Sequence, residues 1–361
     1  MHHIIRSLSS LLRAPEVTAS SSRLSIFSWR VFIGYCLIVL GFISMSGISG
    51  DRYWPVQAFG YVRDIALLIA LLPLPIVLWR RLRKPVVLQL LCAILLVWTP
   101  ANASDLPRVA PEGSTELTIM TLNTGNDVSD PAKLMSVIDQ SGADIIGLQE
   151  VSPETAEAIE SVPTTEYPYH VVYGLGIPGK ALLSKFPIVD HQLLDANPDR
   201  PDLLVTLDIH GTRTTVIVAH PPPPHLTSAG VVSRPGANEQ FAALVDAIAQ
   251  ADGPLLVMGD FNITQHHDRY ELLKSMGLVD AFAESGNGTG NTYPSNLSAL
   301  VDVSQSLSNA PMLPLLRIDY IWSSSDWYPV HTSVADNASS DHLPLVARMA
   351  FLPAQPAISL P

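Results

Sequence analysis

The residues that could carry chemistry fall in short polar motifs, and most of them follow an apolar run of strand length. Leu122-Asn123 ends the run Leu117–Leu122, and Leu148-Gln149-Glu150 ends Asp144–Leu148. Val218-Ala219-His220 ends Thr214–Ala219 and enters the proline run Pro221–Pro224. Gly259-Asp260-Phe261-Asn262 follows Leu255–Met258, Asp319 interrupts the run Arg317-Ile318-Asp319-Tyr320-Ile321, and Ser340-Asp341-His342 leads into Leu343–Met349. A strand holds its end residues rigidly while the adjoining loop leaves them accessible, which is what a reactive group needs.

Taken singly, most of these motifs have a bland reading. Asn123 reads as a turn residue or helix cap, Glu150 as a surface carboxylate, and His220 as a structural histidine beside a polyproline segment that holds its loop extended. The segment at 259–262 is more specific. Gly259 permits a tight exit from the strand and Phe261 can enter the core. Asp260 and Asn262, two apart on an extended chain, then face the same side. A carboxylate there can orient or deprotonate water, and an amide can hold a phosphate oxygen. Asp319 lies inside an apolar strand, where an unpaired carboxylate is costly. His342 is a suitable partner, since pairing through one ring nitrogen fixes the tautomer and leaves the other nitrogen for substrate. Glu150 and Asp341 offer oxygen to a hard cation.

Together and in this order, Asn123, Gln149-Glu150, His220, Gly-Asp260-Phe-Asn262, Arg-Ile-Asp319-Tyr-Ile and Ser-Asp341-His342 resemble the motif series of the endonuclease/exonuclease/phosphatase (DNase I-like) superfamily. That group includes DNase I-like nucleases, abasic-site endonucleases, neutral sphingomyelinases and inositol polyphosphate 5-phosphatases. The resemblance covers about residues 116–350. It implies an α/β fold, a four-layered α/β sandwich of two packed mixed β-sheets flanked by helices. It further implies Glu150 as a ligand of Mg²⁺ (Mn²⁺ as the substitute), with Asn123 and Asp341 nearby. Asp260 would act on the attacking water, and Asn262 and His220 would contact phosphate oxygens. His342, held by Asp319, would stabilise the transition state or act as general acid. One position departs from the abasic-site nucleases, which carry Asp two residues after the first Asn where this chain has Gly125.

Other metal and nucleotide chemistries are disfavoured. The cysteines, Cys36 and Cys92, both lie in apolar segments far from these motifs. His266-His267 follow the Asp260 loop, but adjacent side chains diverge, so they read as rim residues and zinc is disfavoured. The glycines at 174, 176 and 179 precede the strand Lys180–Ser184, the reverse of a phosphate-binding loop, and read as a turn. Arg234 and Arg317 are the candidates for additional phosphate contacts.

The elements that must position these residues alternate. Besides the runs above, Asp130-Pro131 to Gly142, Ser152-Pro153-Glu154, Gly236–Ala251 and about His267–Met276 read as helices from their caps and periodicity. The pair 203–209 and 214–219 reads as a hairpin. Residues 295–316 read as a long loop that, with the segment 221–234, shapes the pocket.

The chain has 361 residues in two electrostatically distinct parts. The first hundred residues hold 10 Lys+Arg against 3 Asp+Glu, and the remainder 11 against 30, a net of about −19. Such a domain repels polyanions, so long nucleic acid is a disfavoured partner. Apolar segments run from about Val31 to Ile48, Ile65 to Trp79 (reaching back through Tyr53–Val62 if Arg63 and Asp64 are tolerated) and Pro85 to Trp98, against the roughly 20 residues needed to span a bilayer. Arg6, Arg13, Arg23 and Arg30 precede the first, and Arg80, Arg81, Arg83 and Lys84 separate the second from the third. With three spans, basic segments staying cytoplasmic place everything after Trp98 outside; with two it would lie inside, so the third segment decides the side. The expected organisation is therefore a basic cytoplasmic N-terminus (1–30), a membrane anchor with about three transmembrane segments (31–100), a linker (101–116), a catalytic domain (117–350) and a tail (351–361). The expected protein is integral to a bacterial inner or plasma membrane. Its expected activity is metal-dependent hydrolysis of a small or lipid-linked phosphate ester, a lipid headgroup included, outside the cytoplasm. An extracytoplasmic nuclease and an inactive membrane binding protein are the alternatives.

Overall fold

β1 (Thr115–Asn123) turns Leu117 and Ile119 to one side and Met120 and Leu122 to the other, and all four are buried. A strand apolar on both faces must lie inside a sheet covered on both sides. The computed structural model builds that arrangement twice. It describes residues 23–50, 53–74, 76, 83–97, 108–125, 130–161, 166–194, 196–227, 230–296 and 311–352. The chain divides into two units, Met1–Pro100 and Ala101–Pro361.

In the second unit, β1 lies in a six-stranded sheet with β2 (Ile145–Gln149), β3 (Tyr169–Tyr173), β4 (Lys180–Ser184), β13 (Trp327–Val334) and β14 (Leu345–Phe351), in the order β13-β14-β1-β2-β4-β3. The other six-stranded sheet has the order β11-β12-β10-β7-β6-β5. It comprises β5 (Ile188–Leu194), β6 (Asp202–Ile209), β7 (Thr212–Ala219), β10 (Leu255–Asp260), β11 (Val279–Asp280) and β12 (Asp319–Ser323). A short hairpin, β8 (His225–Thr227) with β9 (Gly230–Val232), stands apart from both. Each sheet is mixed: β1 runs parallel to β2 and β7 parallel to β10, with antiparallel neighbours outside them.

The apolar faces sort into layers. Ile119, Ile145, Val216, Val218, Met258 and Ile321 meet between the sheets. Met120, Leu122, Ile146 and Leu148 pack against α4 (Pro131–Ser141) and α5 (Pro153–Glu160) on one outer face. Ile217, Val257 and Trp322 pack against α6 (Ala237–Gln250) and α7 (Asp268–Ser275) on the other. This is the four-layered α/β sandwich expected from the motifs. The helices start where their caps predict: Asp130 accepts from the amides of Ala132 and Lys133, and Ser152 from that of Thr155.

The sequence reading left out β3, β5, β8, β9, β11, β13 and α8 (Ala281–Ser285). The hairpin is tighter than expected, because His210 and Gly211 alone join β6 to β7, both at positive φ. β1 takes in Thr115 and Glu116, and Arg108 already donates its amide to the Val330 carbonyl of β13 (2.9 Å). Isolated bridges tie Tyr293 to Leu316 and Asn296 to Pro311 within the expected loop; its residues 297–310 lie outside the described residues, as do 353–361 of the tail.

The first unit holds α1 (Arg23–Ser49), α2 (Trp54–Leu71) and α3 (Arg83–Val97). Among the described residues one stretch, Arg30–Ser49, is long and apolar enough to cross a membrane. The second helix takes in Arg63 and Asp64 and reaches back to Trp54, the longer of the two extents the sequence offers. Cys36, Val39, Leu67, Ala70 and Cys92 pack inside this unit, while Ile38, Ile48, Leu68, Leu72, Leu90 and Ile94 face outward. Residues 1–22 and 98–107 lie outside the described residues.

Candidate active site

The parallel pairs fix where the site must form. β1 and β2 end together, with Asn123 opposite Gln149, and β7 and β10 end together at the same pole of the other sheet. Antiparallel β12 begins there, with Asp319 opposite Asp260. Antiparallel β14 follows the Ser340-Asp341-His342 segment into the same pole. Residues far apart in the chain are thereby brought within reach of each other: Asn123 Nδ2 donates to Asp260 Oδ2 (3.1 Å) across 137 residues, and Ser340 Oγ to the Asn123 carbonyl (2.6 Å) across 217.

Asp260 is the centre of the cluster. Its Oδ2 lies 3.6 Å from His220 Nε2 and 3.7 Å from His342 Nε2. Its Oδ1 accepts the Asn262 amide (2.8 Å). Gly259 makes the position possible, because at its φ of 143° a Cβ would stand 2.0 Å from the Ala219 carbonyl oxygen. Burial raises the Asp260 pKa to about 7, with the charge of Asp319 adding to the effect and His342 and Asn123 opposing it.

His342 Nδ1 bonds Asp319 Oδ2 at 2.9 Å, and Thr292 Oγ1 donates to the same oxygen at 2.5 Å. Burial works against the imidazolium, but the charges of Asp319 and Asp260 and the hydrogen bond outweigh it and hold the pKa up, at about 10. Ser340 orders the approach: its Oγ accepts the His342 amide (3.0 Å), and its carbonyl accepts from Ser295, Asn296 and Asn337. The Tyr293 ring lies 4.8 Å from that of His342.

Asn262 reaches the site by a different route from the extended chain expected. It adopts φ 53°, and its amide turns back onto Asp260 while its side chain donates to the Pro221 carbonyl (3.0 Å). A left-handed residue, not strand alternation, sets its direction. Phe261 enters the core as expected.

His220 is fully buried, with Nε2 3.5 Å from Glu150 Oε1, and Arg200 Nη1 contacts its ring. Its amide donates to Asp202 (2.8 Å), which also accepts from Gln240 (2.8 Å). Burial, followed by the charges of Arg200, Lys180 and His342, holds its pKa well below the usual value, so the ring is neutral near pH 7. Lys180, also buried, bonds the Pro178 and Gly179 carbonyls; desolvation lowers its pKa to about 8 against the pull of Asp202.

Sequence reasoning missed Arg200, Asp202, Lys180, Gln240 and Thr292. None sits in a distinctive motif; a buried charge within an apolar strand, as at Lys180 and Asp319, was the one available signal. Arg317, a candidate for phosphate contact, is structural instead: its guanidinium is buried, pairs with Asp280 at 2.6 Å and packs over Tyr320. Arg234 is exposed, and its charge acts on Arg200. His267 caps α7 through Nδ1, as a rim residue would.

The donor set fits a hard cation. Glu150, at φ 54°, turns its carboxylate to the pole, and burial raises its pKa, with nearby Asp341 adding to the effect. Two carboxylates and the Asn123 amide offer oxygen only, which suits Mg²⁺ with water completing its shell. Among the described residues no three His, Cys, Asp and Glu side chains are grouped to hold a metal ion by themselves, so a cation on Glu150 and Asp341 would take its remaining ligands from water or substrate.

Gly125 explains the departure from the abasic-site pattern. It adopts φ +66°, and a Cβ there would stand 2.8 Å from Asp341 Oδ1. The Asp341 carboxylate thus occupies the space that a side chain at 125 would enter. Gly125→Asp is expected to cost about 1–2 kcal/mol from the left-handed backbone alone, measured by urea unfolding; an unchanged midpoint would contradict this packing.

Comparison with known proteins places this arrangement. No curated protein matches the sequence. Among solved structures, an endonuclease/exonuclease/phosphatase from Beutenbergia cavernae aligns over 65% of this chain and 72% of its own, at 20% identity and a TM-score of 0.47. A mannosyl-6-phosphatase from Bacteroides thetaiotaomicron aligns over 65% of this chain and 100% of its own, at 17% identity and a TM-score of 0.47. D. rerio TDP2, complexed with a single-strand DNA product, aligns over 65% and 99% at 14% identity and a TM-score of 0.50. Such identities speak to the fold alone. The family model of the Endonuclease/Exonuclease/phosphatase family matches residues 120–342 and so takes in every site motif from Asn123 to His342. The chain belongs to the endonuclease/exonuclease/phosphatase family, whose members are phosphoesterase and nuclease hydrolases that generally depend on a divalent metal.

Proposed function

We propose that this chain is a membrane-anchored, Mg²⁺-dependent phosphoesterase that hydrolyses a small or lipid-linked phosphate ester outside the cytoplasm, with Mn²⁺ as a substitute metal. The observation that carries the reading is the central placement of Asp260, with a buried carboxylate of near-neutral pKa next to a histidine held cationic by Asp319. Phosphoester hydrolysis demands positioning of water and neutralisation of charge on the phosphoryl oxygens. Asp260 takes the proton of the attacking water, and its Oδ2 is held by Asn123. His342 stabilises the transition-state charge or protonates the leaving oxygen through Nε2, its Nδ1 being committed to Asp319. Glu150, Asp341 and Asn123 would hold the metal, which when bound neutralises a phosphoryl oxygen and the departing oxygen.

Two features support an apolar or lipid-linked ester. Leu175 and Ile177 are exposed on the β3–β4 loop, whose Gly176 amide bonds the Val151 carbonyl beside Glu150. Leu313 and Leu315 are exposed on the segment paired with Tyr293. The apolar outward face of α1–α3 supports the anchor, and the basic residues up to Arg30 and around residues 80–84 support an external catalytic unit. The acidic charge disfavours long nucleic acid as substrate.

The test is hydrolysis of bis(p-nitrophenyl) phosphate by the detergent-solubilised full-length chain. Turnover is expected with Mg²⁺ or Mn²⁺ and not with EDTA. Glu150→Ala is expected to raise the Mg²⁺ concentration giving half-maximal rate by about tenfold or more. Full turnover in EDTA, or a Mg²⁺ requirement unmoved by the substitution, would refute the assignment.

A further inference from the structure

Arg200 has no role in the mechanism above, yet it is a cation placed among the reacting groups. It lies in the loop between β5 and β6 and is 8% exposed. Nη1 meets the His220 ring and stands 3.7 Å from Glu150 Oε1, and the charges of Glu150 and Asp260 both act on the guanidinium. A cation so far withdrawn from water is costly unless anions use it.

The protein does not use it fully. The separation from Glu150 exceeds hydrogen-bonding distance. Among the described residues Nη1 is the sole side-chain nitrogen of Arg200 with a hydrogen-bond partner. None of its nitrogens is among the buried atoms lacking a partner, so the unengaged donors still reach solvent. His220, by contrast, is sealed behind Glu150 and Asp260. The guanidinium, rather than the imidazole, therefore presents donors outward, in a planar fork that matches two oxygens of one phosphoryl group. The exposed Arg234 adds positive charge nearby.

We infer that Arg200 grips the non-bridging oxygens of the phosphoryl group and biases the enzyme toward phosphomonoester dianions over diesters. This rests on the phosphoesterase reading of the site. A monoester carries close to one more negative charge than a diester at neutral pH, since its second ionisation lies near pH 6. An added cation therefore favours the monoester more.

The experiment compares full-length wild type, Arg200→Met and Arg200→Lys with saturating Mg²⁺. The substrates are p-nitrophenyl phosphate and bis(p-nitrophenyl) phosphate, and binding of inorganic phosphate and of Mg²⁺ is followed by calorimetry. Loss of charge-assisted hydrogen bonds predicts a fall in monoester kcat/KM of about tenfold to a hundredfold in Arg200→Met. The diester is expected to fall several-fold less. Phosphate affinity is expected to drop by a similar factor with Mg²⁺ affinity unchanged, and Arg200→Lys to recover part of both losses. An equal fall for both esters, or phosphate binding that is absent in wild type or unaltered in Arg200→Met, would overturn the inference. If wild type cleaves neither ester, the phosphoesterase assignment fails, and the phosphate titration alone still decides whether Arg200 binds the anion.

Discussion

Asp260→Asn is expected to lower kcat on a phosphate ester by about 10²- to 10⁴-fold, the range for loss of a positioned general base, with little change in KM. The substitution keeps the shape of the side chain. Its oxygen can still accept the Asn262 amide, which now bonds Oδ1 at 2.8 Å, but an amide cannot take a proton from water. The carboxylate is suited to that task because burial, followed by Asp319, brings its pKa to about 7. The base must be ionised to act, so the wild-type rate should rise with pH through about 7, and the residual rate of the variant should lose that dependence. Stability gives a second readout in the absence of metal. A carboxyl whose folded pKa is raised stabilises the fold below its unfolded value and loses that contribution as pH rises through the folded value. Asp260→Asn should therefore melt at a higher temperature than wild type above about pH 7. A variant that retains more than a tenth of the wild-type kcat with the same pH profile would remove Asp260 from the chemistry.

The motif at Asp260 was legible because its logic is local: an apolar strand, a glycine exit, and polar residues aimed at one pole. The same holds for Asp319, where a carboxylate breaking an apolar run requires a partner, and for His342, the partner that the structure supplies. Alternating strands and helices made an α/β domain legible, while the four layers followed from the resemblance of the motif series; strands apolar on both faces, such as β1 and β10, are their physical expression. What stayed hidden was non-local or irregular. Arg200 sits in a loop with no periodicity, and only the folding of β6 against β7 carries it to His220. Asp202 and Gln240 meet the His220 segment from two different elements. Arg317 misled because a basic residue next to a motif looks like a phosphate ligand, whereas its partner Asp280 lies 37 residues upstream. β5 escaped because it is an edge strand with a largely exposed face, and β13 because Pro329 and a register shift interrupt it. Asn262 lies beside Asp260 through a turn and not through the extended strand that the alternation suggests.

Asp319→Asn should lower activity most at alkaline pH, by about 10² or more where His342 is needed as a cation. Asp319 is fully buried; its Oδ2 takes bonds from His342 and Thr292, and its Oδ1 has no hydrogen-bond partner among the described residues. Its charge is therefore balanced chiefly by the imidazolium. His342 also faces Asp260 from β10, Glu150 after β2, Asp341 in its own segment, neutral His220 after β7, and the ring of Tyr293. Of these, Asp319 acts most strongly to raise the pKa to about 10 against the opposing effect of burial. Asparagine preserves an acceptor for Nδ1 but removes the charge, so burial regains the upper hand and the pKa falls. If protonated His342 is the active form, wild-type kcat should decline with pH only near 10, and the alkaline limb of the variant should move to lower pH. The C–H resonances of the His342 ring, followed by NMR without substrate, should titrate at correspondingly lower pH. This readout separates loss of charge from general loosening of the site, because a merely loosened site would lose kcat at every pH and leave the limb in place. An alkaline limb and a His342 titration both unchanged in Asp319→Asn would show that the imidazolium is held by Asp260 and Asp341 instead.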